Sequence, residues 1–189
     1  MSQILQLKIS LKYSEPLIWR RFLVNGNISF HRLHDIIQVV MGWGNYHLYD
    51  FNANGQRFSI PDEDWDEKVI DSRKVKLSIL KPKQKIYYTY DFGDCWEHLI
   101  SIEKMVQKDA GKAYPICIAG ELSCPPEDCG SISGYYRLLT IKKNKKHPEY
   151  KHLIIEWLGE DFDPEYFDLE QVNKYLRKKF YKEDGRTRY

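Results

Sequence analysis

Apolar and polar positions alternate with period two over Ile4–Tyr13, where Leu5, Leu7, Ile9 and Leu11 oppose Gln6, Lys8 and Ser10. A strand with one buried face produces this pattern, because successive side chains point to opposite sides of the sheet. The alternation resumes after Pro16, from Leu17 to Val24, and Asn25-Gly26-Asn27 closes it with turn chemistry. From Ser29 the period changes. Phe30, Leu33, Ile36, Ile37, Val40 and Met41 fall at helical spacing, so a helix is predicted through Met41. Ser29 is its N-cap, Gly42-Trp43-Gly44 its stop, and His31, Asp35 and Gln38 are expected on its solvent side.

Tyr46–Phe51 and Gln56–Ile60 flank Asn54-Gly55, the pair of residues that most readily forms a two-residue hairpin turn. An acidic connection, Pro61–Asp71, follows, and Val75–Leu80 reads equally as strand or helical turn. Two further strands are predicted, Lys85–Phe92 and Trp96–Val106, joined by a turn at Gly93-Asp94. Residues 107–134 show little periodicity and are rich in glycine, proline and cysteine. Beyond Gly134 the pattern is helical: Tyr135–Ile141, Pro148–Leu158 and Leu169–Phe180, the last opened by Asp168. Strands followed by helices argue for an α+β fold. The expectation is one domain over 1–189, with a strand-rich half (1–106), a loop (107–134) and a helical part (135–189). Its antiparallel, hairpin-built sheet would pack against the Ser29–Met41 helix and the C-terminal helices.

Composition narrows the function classes. The apolar fraction of 42% suffices for a core, and no apolar run is long enough for a membrane helix, so a cytoplasmic protein is expected. With 29 Lys and Arg against 27 acids, the chain is not a general polyanion binder. Basic residues nevertheless cluster at Lys142, Lys143, Lys145 and Lys146 and after Lys174. Together with Arg20, Arg21, Tyr87, Tyr88 and Tyr90 they are what a nucleic-acid contact would use, although Tyr88 and Tyr90 share a strand face with Ile86 and read as core. The phosphate-binding loop, the dinucleotide fingerprint, the zinc-protease motif and the serine-hydrolase elbow are all absent.

Two segments concentrate reactive groups. Tyr90-Asp91-Phe92-Gly93-Asp94-Cys95-Trp96-Glu97-His98 places three carboxylates and an imidazole about one turn, so Asp91, Asp94, Glu97 and His98 form a candidate pocket for acid–base chemistry. The alternative is a tight turn with Asp94 bonded to amides and Glu97 in solvent. Further on, Cys117, Cys124 and Cys129, with His98, would complete four ligands for zinc. Their spacings are wider than those of a zinc knuckle, and the thiols read equally as buried packing. His31, His34 and His47 could converge near the first helix. Asp62-Glu63-Asp64-Trp65-Asp66 fails as a calcium loop, with Glu67 where glycine is needed and Arg73 where glutamate is needed.

The chain resembles the plasmid pRiA4b ORF-3-like family. The matching stretches are Leu5–Ile9 through Pro16–Arg21, Phe30–His34 to Met41-Gly42-Trp43 with His47-Leu48, Tyr90–Asp94 with Trp96-Glu97-His98, Cys124–Asp128 with Gly130 and Gly134-Tyr135, and Trp157–Pro164 with Phe167. The resemblance implies an α+β fold and a setting in plasmids and mobile elements, and it carries over no catalytic residues. Tyr49 stands where the family often has a second histidine, and Cys95 and Cys129 stand where other residues are common. The function expected is that of a non-enzymatic accessory module binding a protein or nucleic acid, with no cofactor. The alternative is a metal-dependent or carboxylate-based hydrolase built on Asp91–His98 and the Cys117/Cys124 loop.

Overall fold

The computed structural model describes residues 3–62, 68–109, 111–181 and 187. Eight strands form one sheet: β1 (Gln3–Leu11), β2 (Trp19–Asn25), β3 (Tyr49–Ala53), β4 (Gln56–Ser59), β5 (Ile70–Asp71), β6 (Lys85–Tyr90), β7 (Trp96–Gln107) and β8 (Ile116–Glu121). Their order across the sheet is β5-β4-β3-β6-β7-β1-β2-β8. Three α-helices accompany it, α1 (Phe30–Met41), α2 (Ser131–Lys142) and α3 (Leu169–Phe180), with a π-helical segment at Lys151–Leu158 and a 3₁₀ turn at Leu77–Ile79. The α+β class is as expected. The sheet is mixed rather than wholly antiparallel, because β5 runs parallel to β4. A two-residue strand is set by its neighbour's free edge, which local periodicity does not report. The acidic segment 63–67, where a calcium loop was weighed, lies outside the described residues.

The alternation predicted for β1 holds: Leu5, Leu7, Ile9 and Leu11 are buried while Gln6, Lys8 and Ser10 are half-buried. Across the ladders Leu7 meets Phe22, Tyr88 meets His98, and Phe51 meets both Tyr88 and Phe58. Over this face lies α1, capped at Ser29, whose hydroxyl accepts from the Arg32 amide, and stopped by Gly42 at φ +89°. Phe30 stacks on Phe58 (4.4 Å) and meets Phe51 edge-on. Gln38, expected in solvent, is buried, and its amide donates to the Tyr88 hydroxyl (3.0 Å). A helix wedged between a sheet and α3 has little solvent side left. A smaller apolar cluster, Leu138, Ile141, Tyr150 and Ile154, joins α2 to the π-helical segment.

The unperiodic stretch contains β8, which the sequence pattern did not disclose. Its place is fixed by β2 on one side and by α3 on the other, where the Asn173 side chain accepts from the Cys117 amide and donates to the Cys117 carbonyl, both at 2.9 Å.

Candidate metal centre

Three loops from distant parts of the chain meet at one end of β6. The first follows α1 and runs from Gly42 to Leu48. In the second, Asp91 to Cys95 turns β6 into β7. The third descends from Cys124 to Gly130 and opens α2. Nine non-glycine residues have positive φ among the described residues, and five of them stand in or beside these loops: Asn45, Asp91, Cys95, Asp128 and Ser131. Such conformations cost of order 1 kcal/mol each and gather where a functional arrangement imposes them.

Asp91 shows how the local sequence builds this. Its φ of +57° ends the strand, its carbonyl accepts from the Cys95 amide (2.6 Å) and its Oδ1 accepts from Gly93 (2.9 Å). The alternation breaks there, which leaves Phe92 exposed while Asp91 is buried. The second carboxylate oxygen of Asp91 lies 3.7 Å from His47 Nε2, and Asp128 Oδ1 lies 3.2 Å from the same nitrogen. The ligand atoms of His47, Asp91 and Asp128 are all within 4.8 Å of one another. Although His47 Nε2 is shielded from water, it makes no hydrogen bond, since neither oxygen lies where an N–H would aim. Metal–ligand bonds of about 2.0–2.2 Å place neighbouring donors roughly 3.0–3.4 Å apart. The Asp128 separation, 3.2 Å, falls within that spacing and the Asp91 separation, 3.7 Å, lies a little beyond it.

The surroundings are acidic. Asp94 accepts from the Gly130 amide (3.0 Å), and Glu127 accepts from the Tyr90 hydroxyl (2.5 Å) and the Gly44 amide (2.6 Å). Among the described residues no lysine or arginine pairs with Asp91, Asp94, Glu127 or Asp128, and His47 is the sole ion-pair partner of the cluster. A divalent ion among His47, Asp91 and Asp128 would offset the charge of the two carboxylates.

These same loops carry segments that relate the chain to known proteins. A family model described as plasmid pRiA4b ORF-3-like protein matches residues 3–171. The chain belongs to that family. It is 36% identical over 177 residues to uncharacterized protein y4hQ of Sinorhizobium fredii, covering 92% of this chain and 90% of the relative. It is also similar to the crystal structure of a protein of unknown function, MM3350, from Methanosarcina mazei Go1. That similarity has a TM-score of 0.83 and 38% identity, over 91% of this chain and 98% of the other.

In this pRiA4b ORF-3-like chain the expected pocket residues are not brought to one place. Asp91 joins His47 and Asp128, and Asp94 holds the start of α2. Glu97, on the other face of β7, pairs with Lys12 (3.1 Å). His98 is fully buried between Tyr88 and Trp43, with ring centroids at 5.3 Å from each, and bonds the Tyr88 carbonyl (3.3 Å). Burial pushes its pKa down to about 3. Residues one apart on a strand face opposite ways, so Glu97 and His98 cannot share a pocket.

The four expected zinc ligands are likewise scattered. Cys117 sits in β8 with its thiol on the Arg21 and Ala119 carbonyls, Cys124 lies against Arg20 (3.3 Å) and Met41 (3.7 Å), and Cys129 is beside the Ser131 carbonyl. Burial pushes the Cys117 thiol up to about 11 and Cys129 to about 12. Among the described residues it is His47, Asp91 and Asp128 that come within coordinating distance. His31 and His34 stay with the core. His31 bonds the Tyr49 hydroxyl (2.8 Å), and His34 stacks on Tyr49 (3.7 Å) and bonds Tyr88 and Asn45.

The basic residues singled out above are placed as follows. Arg20 is buried, Arg21 grips Glu103 with two nitrogens, and Lys142 and Lys145 both reach Glu160. Tyr88 and Tyr90 are core, and Tyr87 is half exposed, as their register predicts. Sequence reasoning missed Asp128 and gave His47 the wrong company. The available signal was position: each stands two residues from an asparagine, proline or glycine, in segments that carry the family resemblance.

Proposed function

We propose that this protein is a metal-dependent binding module. A divalent first-row transition ion sits between His47 Nε2, Asp91 Oδ2 and Asp128 Oδ1, and its remaining coordination positions take an oxygen or nitrogen donor from a partner molecule. The observation that carries this reading is the buried His47 Nε2, without a hydrogen bond, facing two carboxylate oxygens. Imidazole with carboxylates favours zinc, manganese or iron over calcium or magnesium, which take all-oxygen sites. The acidic surround disfavours a phosphate polyanion and favours a neutral or cationic ligand.

A hydrolytic reading has one observation in its favour. Three protein ligands leave a place for water, as catalytic zinc sites do, and a bound ion would supply Lewis-acid activation of that water. The test is titration of chelator-stripped protein with Zn²⁺ and Mn²⁺ by calorimetry, repeated on His47→Ala and Asp91→Asn. One ion per chain in the parent and none in either variant is expected. Binding that survives both substitutions would overturn the reading. Ester hydrolysis by the loaded protein, lost in His47→Ala, would select the hydrolytic version.

A further inference from the structure

We propose that Tyr90 and Glu127, neither of which supplies a ligand atom, are the positioning residues that hold the three metal-binding loops in register. This rests on the metal reading above. Each ligand has a near neighbour in one hydrogen-bonded knot. Tyr90 immediately precedes Asp91, Glu127 immediately precedes Asp128, and Gly44 and Tyr46 lie in the loop that ends at His47. The Tyr90 hydroxyl accepts from the Tyr46 amide (3.0 Å) and donates to Glu127 Oε1 (2.5 Å), while Glu127 Oε2 accepts from the Gly44 amide (2.6 Å).

Two side chains thereby tie the loop after α1, the β6–β7 turn and the loop before α2 to one another. Each Glu127 oxygen thus accepts one hydrogen bond from a different loop. The Tyr90 ring is fully buried and packs on Trp43 (5.1 Å) and edge-on to His47 (5.8 Å). Groups that orient metal ligands without touching the ion typically change affinity 10–100-fold when lost.

The experiment compares Zn²⁺ affinity, by competition with a chromogenic chelator, and the visible spectrum of the Co²⁺-loaded protein. It uses the parent, Tyr90→Phe, Glu127→Gln, the double variant and Glu97→Gln. Urea unfolding of each metal-free protein runs alongside. Tyr90→Phe and Glu127→Gln are each expected to bind roughly 10–100-fold more weakly. Their Co²⁺ bands should shift, the double variant should be no worse than the weaker single, and Glu97→Gln, on the opposite face, should match the parent. Affinities within about twofold of the parent, with unchanged spectra, would overturn the positioning role and leave the metal reading intact. Weaker binding matched by an equal loss of metal-free stability, with an unaltered Co²⁺ spectrum, would also overturn it, in favour of plain structural support. A parent protein that binds no ion would remove the metal reading itself.

Discussion

Arg20 shows what a single buried charge can do without a counter-ion. Its Nε donates to the Val40 carbonyl (2.9 Å), Nη1 to Trp19 and Glu121, and Nη2 to Leu122 and the Cys124 sulfur. Every donor of the guanidinium is used, and the flat group lies over the Phe167 ring (4.3 Å). Gly120 makes room, since a Cβ there would come within 2.7 Å of the Arg20 side chain and 2.6 Å of Phe167. Replacing Arg20 by Ala leaves four carbonyls without that donor, at about 1–3 kcal/mol for each that water cannot reach. A loss of at least about 3 kcal/mol in urea unfolding is expected, and Arg20→Lys, with a single branch of donors, should recover little of it. His34 and His98 set a pH dependence of their own. Burial pushes them down to about 4 and about 3, so both are neutral when folded at neutral pH. Unfolded histidine takes up a proton below about 6.5, so stability is full above that value and falls as pH drops towards 4. The expected slope is roughly 1.4 kcal/mol per pH unit for each group, read from urea midpoints between pH 7 and 4.5. His34→Gln should flatten it by about half.

At the level of elements, the edge strand β8 is guarded by one amide. Asn173 presents to Cys117 the same donor and acceptor that a neighbouring strand would, so α3 closes an edge that would otherwise invite pairing with another chain. Asn173→Ala should cost about 1–3 kcal/mol and raise self-association, measured by light scattering against concentration. The long elements were legible in advance. The boundaries of α1 and α3, with Ser29 and Asp168 as caps, match the pattern, because a helix of several turns with one apolar stripe leaves little choice of phase. Strands β1, β6 and β7 were legible for the same reason. Strand β5 was not, since two residues carry no period, and β8 was not, since it is ordered by β2, which is remote in sequence. The start of α2 at Ser131 was hidden by glycines whose role is steric: a Cβ on Gly134 would fall on the Cys129 carbonyl. Of the candidate site, Asp91 was visible as part of a dense turn. His47 and Asp128 are 81 residues apart, and local pattern carries no information about their meeting.

For the molecule as a whole, the metal reading makes stability depend on ion concentration. An ion that binds the folded chain adds RT ln(1 + [M]/Kd), about 2.7 kcal/mol at a hundredfold excess over Kd. For a domain of this size the melting temperature should therefore rise by roughly 5–10 °C with saturating Zn²⁺, and His47→Ala should abolish the rise. Among the described residues no helix is long and apolar enough to cross a membrane.

Strand β1 lies between β7 and β2 in the middle of the sheet. During synthesis its first partner emerges almost at once, but its second is complete only at Gln107. A nascent chain that ends before β7 holds β1 against β2 with its other edge of N–H and C=O groups unpaired. That intermediate is the stage at which a nascent chain needs a chaperone, and a slow codon placed before β7 would prolong its exposure.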